Sequence, residues 1–350
     1  MILQLDSRKM KILELIIDAY IKSGDPVGSK TISQLLNNKI SSATVRNEMA
    51  VLYDLGYLEQ PYTSAGRVPS QLAYRLYVDQ IMQKKILSPE QIKQIEAWFN
   101  VTDLDYSSLI QNAGKMLSQI TSCMTILSSM TFKALVITNI EVIEITNRTL
   151  AIIVLTSSGI IKSKVCRVNF DLNVDTVDMV YRFVNNAFAK KSVEEISQNY
   201  VNAICANLES YHSFFIPIFY NVYEMCCGLQ TSDFYIDGQT NLLYYKELKN
   251  VAADVIKFLN DKNTVNNIIN DIFENVGYNN VAYVKFGREL KKAVLSNVGL
   301  IVAKYDIGSI GTGAILVVGP DRLDYASFMP WVEYFSEMLS VVLSRSLEIT

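Results

Sequence analysis

The sequence has few of the residues on which catalytic, metal-binding and fibrous proteins depend. Its 350 residues include one His, 15 Gly and 7 Pro, and only 19% of them are charged. So little Gly and Pro excludes collagen-like and low-complexity chains. Five cysteines, an odd number with no Cys-x-x-Cys pair, disfavour a disulfide framework or a zinc ribbon and favour a reducing cytoplasm.

Long apolar runs are missing as well. The longest, such as residues 150–155, reach about a third of the ~20 residues that a membrane-spanning helix needs. Charges interrupt the apolar residues at the N-terminus, which is untypical of a signal peptide. We therefore expect a cytoplasmic protein without a membrane anchor. Its length predicts two or three domains, and an apolar content of 50% is enough for sizeable cores.

No catalytic constellation is visible in the sequence. His212 lies in an apolar run and fits a structural role better than that of a lone base. Residues 24–30 lack the Gly-Lys-Ser/Thr of a phosphate loop, and residues 308–313 fit a hairpin loop rather than a dinucleotide site. Cys226 and Cys227 are either a redox pair or core residues, and the core interpretation is favoured. We expect no metal site, no cofactor and no enzymatic activity.

Charge is distributed unevenly along the chain. Residues 1–85 contain 11 Lys and Arg against 8 Asp and Glu, whereas the rest of the chain contains 21 against 27. A basic N-terminal segment on an acidic body is typical of a module that binds a polyanion. Because an excess of three charges is small, this hint needs support from the pattern of residues.

That pattern predicts three helices at the N-terminus. Apolar residues at helical spacing, bounded by Ser caps and by C-terminal Gly or a polar turn, place the helices over residues 7–24, 29–36 and 42–56. Ser7 is the expected cap of the first helix, and Ser41 or Ser42 is the expected cap of the third.

The third predicted helix has two different faces. Val45, Met49 and Leu52 recur at positions i, i+4 and i+7 and should face the core. Small residues on the opposite face would let the helix approach base edges, where Asn bonds adenine and Arg bonds guanine. Hydroxyls and free amides at the helix start suit phosphate contacts. An ordinary surface helix would explain this face equally well. If the helix instead binds DNA, the residues expected to contact it are Ser41, Ser42, Ala43, Thr44, Arg46, Asn47 and Ala50.

The segment after this helix predicts a wing. A short strand over residues 57–60 precedes a loop between two prolines, which we expect to carry Arg67 at its tip. A helix-turn-helix followed by such a loop is a winged helix, and the loop would reach the DNA backbone or the minor groove. A fourth helix is predicted over residues 70–85. The candidate contacts of the wing are Tyr62, Thr63, Ser64, Gly66 and Arg67.

These residues resemble the HrcA family of heat-inducible transcription repressors over nearly the whole chain. The matching blocks are PVGSKT from residue 26, SSATVRNEMA from residue 41, LGYLEQP from residue 55, TSAGRVP from residue 63, FYIDGQTNLL from residue 234 and GPDRLDY from residue 319. The chain departs from the family at Tyr62, where His is usual. It departs also at Asp321 and Leu323, where Thr and Met are usual, and at residues 287–290, where Gly-x-Glu-Asn is usual.

The resemblance implies a negative regulator of heat-shock operons that binds an inverted-repeat operator, called CIRCE, as a homodimer. It also implies that a GroE-type chaperonin keeps the repressor active. The implied α+β fold comprises an N-terminal winged helix-turn-helix and a GAF-like α/β domain with an inserted mixed dimerisation domain. We expect these parts at residues 1–90, at residues 91–170 plus 270–350, and at residues 171–269.

The pattern of the body supports an insertion, because strands precede and follow a cluster of helices. Strands are predicted over residues 133–138, 150–156 and 160–168 and again over residues 281–286, 299–305 and 313–318. The helical stretches between and after them cover residues 175–229, 248–274 and 325–347. Aromatic residues and Met at positions 211–225 suit either a dimer interface or a private core, and we favour the interface.

Two alternatives to the repressor are compatible with the sequence. A small effector bound in the GAF-like domain could control a winged-helix regulator, because an apolar pocket leaves no pattern in a sequence. An enzyme fused to a DNA-binding domain would need a nucleotide loop or a catalytic set beyond residue 130, and none is visible. Non-local pairing across a long insertion predicts slow folding, which would make the active fraction depend on a chaperonin and fall on heating.

Overall fold

The computed structural model of the chain describes residues 5–99, 106–128, 131–132, 135–157, 159–208, 214–230, 233–275, 282–307 and 311–346. These residues form two compact units. The first contains the described residues up to 127 together with those in 234–305 and 314–339. The second contains those in 128–233, 306–313 and 340–346.

The first unit begins with the predicted winged helix. The helices α1 (Ser7–Ser23), α2 (Ser29–Leu35) and α3 (Ser42–Asp54) precede an antiparallel pair of strands, β1 (Leu58–Glu59) and β2 (Val68–Pro69). Side chains of α1 and α3 form its buried core, because both helices place an apolar stripe on the inner side. The fully or almost fully buried members are Ile12, Leu13, Ile16, Ile17, Val45, Met49 and Leu52.

Local chemistry sets the ends of these helices. Asp6, one residue before the predicted cap Ser7, caps α1 and accepts a hydrogen bond from a main-chain N–H of its first turn at 2.8 Å. Gly24 ends α1 as predicted, with φ at 66°, where a side chain would be strained. Asn37 and Asn38 also have positive φ values and make the turn between α2 and α3.

The chain then leads into the body of the first unit. α4 (Gln71–Leu76) continues into a single π-helical turn, Tyr77–Ile81, so the helix predicted over residues 70–85 ends early. The helices α5 (Pro89–Phe99) and α6 (Tyr106–Thr121) follow. No element was predicted from the sequence in these last two segments.

A sheet forms the centre of the body. Its strand order is β8 (Phe234–Asp237), β3 (Met124–Ser128), β11 (Gly311–Pro320), β10 (Val298–Ile307) and β9 (Ala282–Phe286), and β4 (Thr131–Phe132) pairs with one end of β11. β11 runs antiparallel to β3, and β10 runs antiparallel to β9. Because β11 is central, nearly all of its side chains are buried.

Helices cover the sheet of the first unit. α10 (Ala252–Leu259) and α11 (Lys262–Asn275) share a core with apolar residues of β3, β10 and β11. α12 (Tyr325–Ser346) is anchored to the sheet as well, because Ser336 donates a hydrogen bond to the carbonyl of Lys304 in β10 at 2.6 Å. No helix of the described residues is long and apolar enough to cross a bilayer.

The second unit is a three-stranded sheet with helices on one face. β5 (Ile137–Thr146), β6 (Thr149–Thr156) and β7 (Ile161–Arg167) form an antiparallel meander. Alternate residues of β6 are buried and share a core with α7 (Val174–Phe188) and α9 (Ile216–Gln230). α8 (Gln198–Ala206) and the 3₁₀ turn Val193–Glu195 complete the helical layer. Ser192 caps this turn, and a capping box formed by Asn173 and Thr176 begins α7.

The borders of the compact units differ from the predicted borders at residues 170 and 270. The sheet of β5 to β7, expected in the GAF-like domain, shares its core with α7 and α9 in the second unit. α10 and the part of α11 up to residue 269, expected in the insertion, share theirs with β10 and β11 in the first unit. Apolar periodicity identifies these elements but does not reveal which other element each buried face contacts.

Candidate nucleic-acid interface

The buried side of α3 determines which residues its other side presents. Val45, Met49 and Leu52 are buried in the core, as predicted. Ser41 caps the helix, because its Oγ accepts a hydrogen bond from the Thr44 N–H at 3.1 Å, and the two side-chain hydroxyls lie 3.0 Å apart. The hydroxyls of Ser41 and Thr44 already interact with each other, so any contact with phosphate competes with the cap.

The opposite side of α3 is exposed, as predicted. Ala43, Arg46, Asn47 and Ala50 are all exposed, whereas Ser42 is half-buried. Within the described part of the chain, the Arg46 and Asn47 side chains form no hydrogen bond or ion pair. Their donors and acceptors are therefore available to a ligand that approaches α3 from solvent.

The acidic residue beside this exposed side of α3 is neutralised within the fold. Glu48 lies 3.2 Å from the Lys9 ammonium and 3.7 Å from the Arg8 guanidinium, and its side chain is only 15% exposed. Hydrogen bonds to Asp6 and then to Glu48 raise the pKa of Lys9. These contacts tie α3 to α1 and remove a negative charge that would repel phosphate.

The tip of the wing comprises residues 62–65. Tyr62, Thr63 and Ser64 are exposed, and Tyr62 has 61% of its surface exposed. The Gln60 side-chain amide donates to the carbonyl of Thr63 at 2.8 Å and to that of Ala65 at 3.3 Å. These hydrogen bonds of the Gln60 amide therefore stabilise the conformation of the wing loop.

Arg67 lies at the base of the wing, so its expected place at the tip was wrong. Its main chain exchanges two hydrogen bonds with Val27, both of 2.9 Å. Gly66 makes this approach possible, because a Cβ there would lie 2.5 Å from the carbonyl oxygen of Val27. The Arg67 guanidinium stacks 5.0 Å from the centre of the Tyr53 ring, and its buried Nε has no partner among the described residues.

A groove with a volume of about 700 Å³ lies between α3, the start of α2 and the wing. Three basic side chains, those of Lys30, Arg46 and Arg67, line it, and no acidic residue of the described chain does. A helix fits the major groove of B-DNA, which is about 12 Å wide.

Three residues of this surface were missed from the sequence. Lys30 belongs to the block at residues 26–31, which predicts a helix start but does not show that its lysine lines the groove. Tyr53 lies seven residues after Arg46 and so on the same face of α3, a spacing that could have identified it. Gln60 gave no signal, because its role depends on main-chain carbonyls that only the folded loop brings close.

Polar contacts within the first unit attach the winged helix to the body. Arg75 of α4 donates to Glu289 at 2.6 and 2.9 Å and to the carbonyl of Val284 at 2.9 Å. Arg322, before α12, donates to the carbonyl of Ile21 in α1 at 3.0 Å and also forms an ion pair with Glu247. The winged helix is thus attached to the body through α1 and through α4.

The other candidate chemistry of the sequence gains little from the structure. The described residues contain no cluster of three His, Cys, Asp or Glu side chains that could hold a metal ion. Cys226 is buried in the core of the second unit, which raises the pKa of its thiol to about 12. Cys227 forms no disulfide with it. His212 and residues 308–310 lie outside the described residues.

Comparisons with known proteins agree over most of the chain. Residues 4–83 match the family described as "Winged helix-turn-helix transcription repressor, HrcA DNA-binding", and residues 107–329 match "HrcA protein C terminal domain". A heat-inducible transcription repressor HrcA of Clostridium botulinum (strain Eklund 17B / Type B) is 30% identical over 97% of this chain and 98% of its own length. The protein of the same name from Ruminiclostridium cellulolyticum is 30% identical over 98% of this chain and 99% of its own length.

A solved structure supports the fold alone. It is the crystal structure of a hypothetical protein, 21% identical, which covers 98% of this chain and 100% of its own chain with a TM-score of 0.62.

Proposed function

Since this chain belongs to the HrcA family of heat-inducible transcription repressors, we propose that it represses heat-shock genes by binding an inverted-repeat operator as a homodimer. In this proposal α3 reads bases in the major groove, and the wing contacts the backbone or the adjacent minor groove. The observation that carries the proposal is the acid-free groove between them, lined by Lys30, Arg46 and Arg67. Each dimer would present two such surfaces to two half-sites.

The base-reading role is tested on the full chain by fluorescence anisotropy with a duplex that carries the CIRCE inverted repeat. Arg46→Ala or Asn47→Ala should weaken specific binding by about 1–3 kcal/mol and binding to random duplex much less. Arg182→Ala, which removes an exposed arginine of the second unit, is the matched control and should change neither. If Arg46→Ala and Asn47→Ala bound the repeat as tightly as this control, α3 would not be the reader.

The support for a dimer contact lies on a different surface from the one expected. Phe215, Phe219 and Met225, predicted to form an interface, are buried in the core of the second unit, and Tyr211 lies outside the described residues. By contrast, the outer face of the β5 to β7 sheet carries exposed apolar side chains, which is unusual for a surface that stays in water. They are Ile143, Ile145, Ile161 and Val165, each at least 50% exposed.

We therefore place the dimer contact on this outer face, where the register aligns Ile143, Ala151 and Val165 in one row. Val165→Glu should shift the sedimentation coefficient from dimer to monomer and weaken binding to the inverted repeat. Val174→Glu makes the same change at an 83% exposed site outside the sheet and should leave a dimer. A dimeric Val165→Glu variant would refute this placement without affecting the assignment of α3.

Heat sensing and the chaperonin form the last part of the proposal. In the reducing cytoplasm, a GroE-type chaperonin would maintain the folded fraction of the repressor, and unfolded proteins would compete for it during heat stress. Titration of active protein against operator DNA should show that chaperonin with ATP raises the active fraction but leaves the affinity unchanged. An active fraction that is constant at every chaperonin concentration would refute this mechanism.

A further inference from the structure

A second cavity of the first unit lies away from the DNA-binding groove. Its volume is about 230 Å³, and its walls come from the winged helix and from the body. At about 30 Å³ per molecule, it has room for about seven waters or for a short-chain organic molecule. Residues of α1, β2 and α4 form one side, and the turn between β11 and α12 forms the other.

Three buried polar atoms of its walls have no partner among the described residues. They are the Tyr74 hydroxyl, Oε2 of Glu247 and Oδ1 of Asp321. The Tyr74 side chain is deeply buried, at 2% exposure. A buried polar atom without a partner costs about 1–3 kcal/mol. Three such atoms, all in side chains that line the same cavity, indicate a ligand that supplies hydrogen bonds.

Two of the nearby donors, Arg322 and Gln71, are already engaged. Arg322 donates to Oε1 of Glu247 and to a carbonyl of α1. The Gln71 amide donates to Oδ2 of Asp321 and to the carbonyl of Ser296, both at 3.3 Å. In their ionised form the two free carboxylate oxygens only accept hydrogen bonds, so the partner that they lack is a donor. An anion would be repelled at both positions.

We propose that this cavity binds a small α,ω-diamine, with one ammonium group at the free oxygen of Asp321 and the other at that of Glu247. The Tyr74 hydroxyl provides a third acceptor. An organic cation fits better than a metal ion, because no three metal-binding side chains cluster among the described residues. Each free oxygen exposes less than 1 Å². The two carboxylates therefore rotate towards the cavity when the ligand enters.

The titration of Asp321 supports this assignment. Burial raises the pKa of Asp321 to about 7, against the smaller opposing influence of Gln71. An ammonium group beside the carboxylate favours its ionised form, so the diamine binds with release of a proton and binds more tightly above pH 7. The charged groups near Asp321 belong to the wing strand β1, to the segment after β9 and to the next residue of the chain. They are Glu59, Arg288, Glu289 and Arg322. The titratable hydroxyls of Tyr20, Tyr74 and Tyr325 also interact with it.

Isothermal titration calorimetry of the full chain with 1,4-diaminobutane tests the site. At pH 8 we expect saturable binding of one molecule per chain, and none of 1,4-butanediol, which has the same length but no charge. Affinity should fall about tenfold between pH 8 and pH 6, because the ionised fraction of a group with a pKa of about 7 falls by that factor. A length series of diamines then reports the spacing of the two oxygens.

Variants separate this site from diffuse attraction to an acidic protein. Asp321→Asn and Glu247→Gln should each weaken binding at least tenfold, and Asp321→Asn should abolish the dependence on pH. Asp254→Asn removes an exposed carboxylate of α10 and should bind as the unmodified chain does. If Asp321→Asn failed to fold, the pH series on the unmodified chain would still test the idea.

Three results would overturn the proposal. They are equal binding of the diamine and the diol, no saturable binding at pH 8, and unaltered binding by a folded Asp321→Asn variant. Each would mean that the two carboxylates do not form a diamine site. The titration contains no DNA, so its outcome is independent of the proposed repressor function.

Discussion

Replacing Gly66 with Ala should detach the wing from the helical part of the DNA-binding module. The φ value of Gly66 is not in the left-handed region, so only space forbids a side chain there. The new Cβ would lie 2.5 Å from the carbonyl oxygen of Val27, 2.6 Å from its carbon and 2.9 Å from the carbonyl carbon of Pro26. All three atoms belong to the main chain, so no side-chain rotation can relieve the overlap.

The size of the effect follows from the hydrogen bonds that would break. Val27 and Arg67 exchange two main-chain hydrogen bonds of 2.9 Å. At a net value of about 1 kcal/mol each, their loss lowers the local opening free energy of the wing by about 2 kcal/mol. A factor of ten corresponds to about 1.4 kcal/mol, so protection of these amides should fall about 25-fold.

Amide hydrogen exchange of the full chain, read by mass spectrometry, measures this opening directly. Gly28→Ala is the matched control, because the same added methyl group meets no atom within 4 Å although Gly28 lines the same groove. We expect the peptides that contain Val27 and Arg67 to exchange faster in Gly66→Ala and at nearly the original rate in Gly28→Ala. Equal protection in the two variants would refute the argument that close packing at Gly66 holds the wing.

Three further predictions concern separate parts of the chain. Arg67→Ala should weaken operator binding and lower the salt dependence by about one counterion if Arg67 contacts phosphate, whereas an unchanged salt slope in anisotropy titrations would exclude that contact. Burial raises the folded-state pKa of Asp321 from 3.8 to about 7, so the folded state holds its proton longer than the unfolded state does, and stability should fall as pH rises from about 4 to 7. Urea denaturation should show this fall, at most about 4 kcal/mol at about 1.4 kcal/mol per pKa unit, and Asp321→Asn should remove it, whereas parallel pH profiles would contradict the assignment. Gly228→Ala within α9 should raise the free energy of unfolding by about 0.5–1 kcal/mol in the same assay, because the added methyl meets nothing within 4 Å; a destabilised variant would show hidden crowding.

The winged helix could be predicted well because local rules decide most of it. The stripe of Val45, Met49 and Leu52 identifies the inner face of α3, and Gly24 and Ser41 mark helix ends by their own backbone and side-chain chemistry. The place of Arg67 could not be predicted in this way. It depends on pairing with Val27, forty residues earlier, and the sequence contains no signal for that approach except the small size of Gly66.

The organisation of the body was harder to predict from the sequence, because it also depends on contacts between distant segments. β3 was not predicted from the sequence. Its pairing with β11 forms the centre of the sheet from segments that lie almost two hundred residues apart. The aromatic residues of α9, such as Phe219, were expected at an interface, because composition alone cannot distinguish a domain's core from a surface between two chains. The cavity beside Asp321 lay beyond prediction, since it exists only where remote segments meet.

The contacts of Arg75 and Arg322 mean that the winged helix is not structurally independent of the body. A fragment that ends after α4 would leave Arg75 without Glu289. It would also expose Tyr74, which is 2% exposed in the full chain and whose ring lies beside that of Phe286. It would also lose the donor that holds the end of α1 at Ile21. A chimera that transfers this DNA specificity to another regulator must therefore carry the body along with the helices, or rebuild the face of α4 as a solvent-exposed surface.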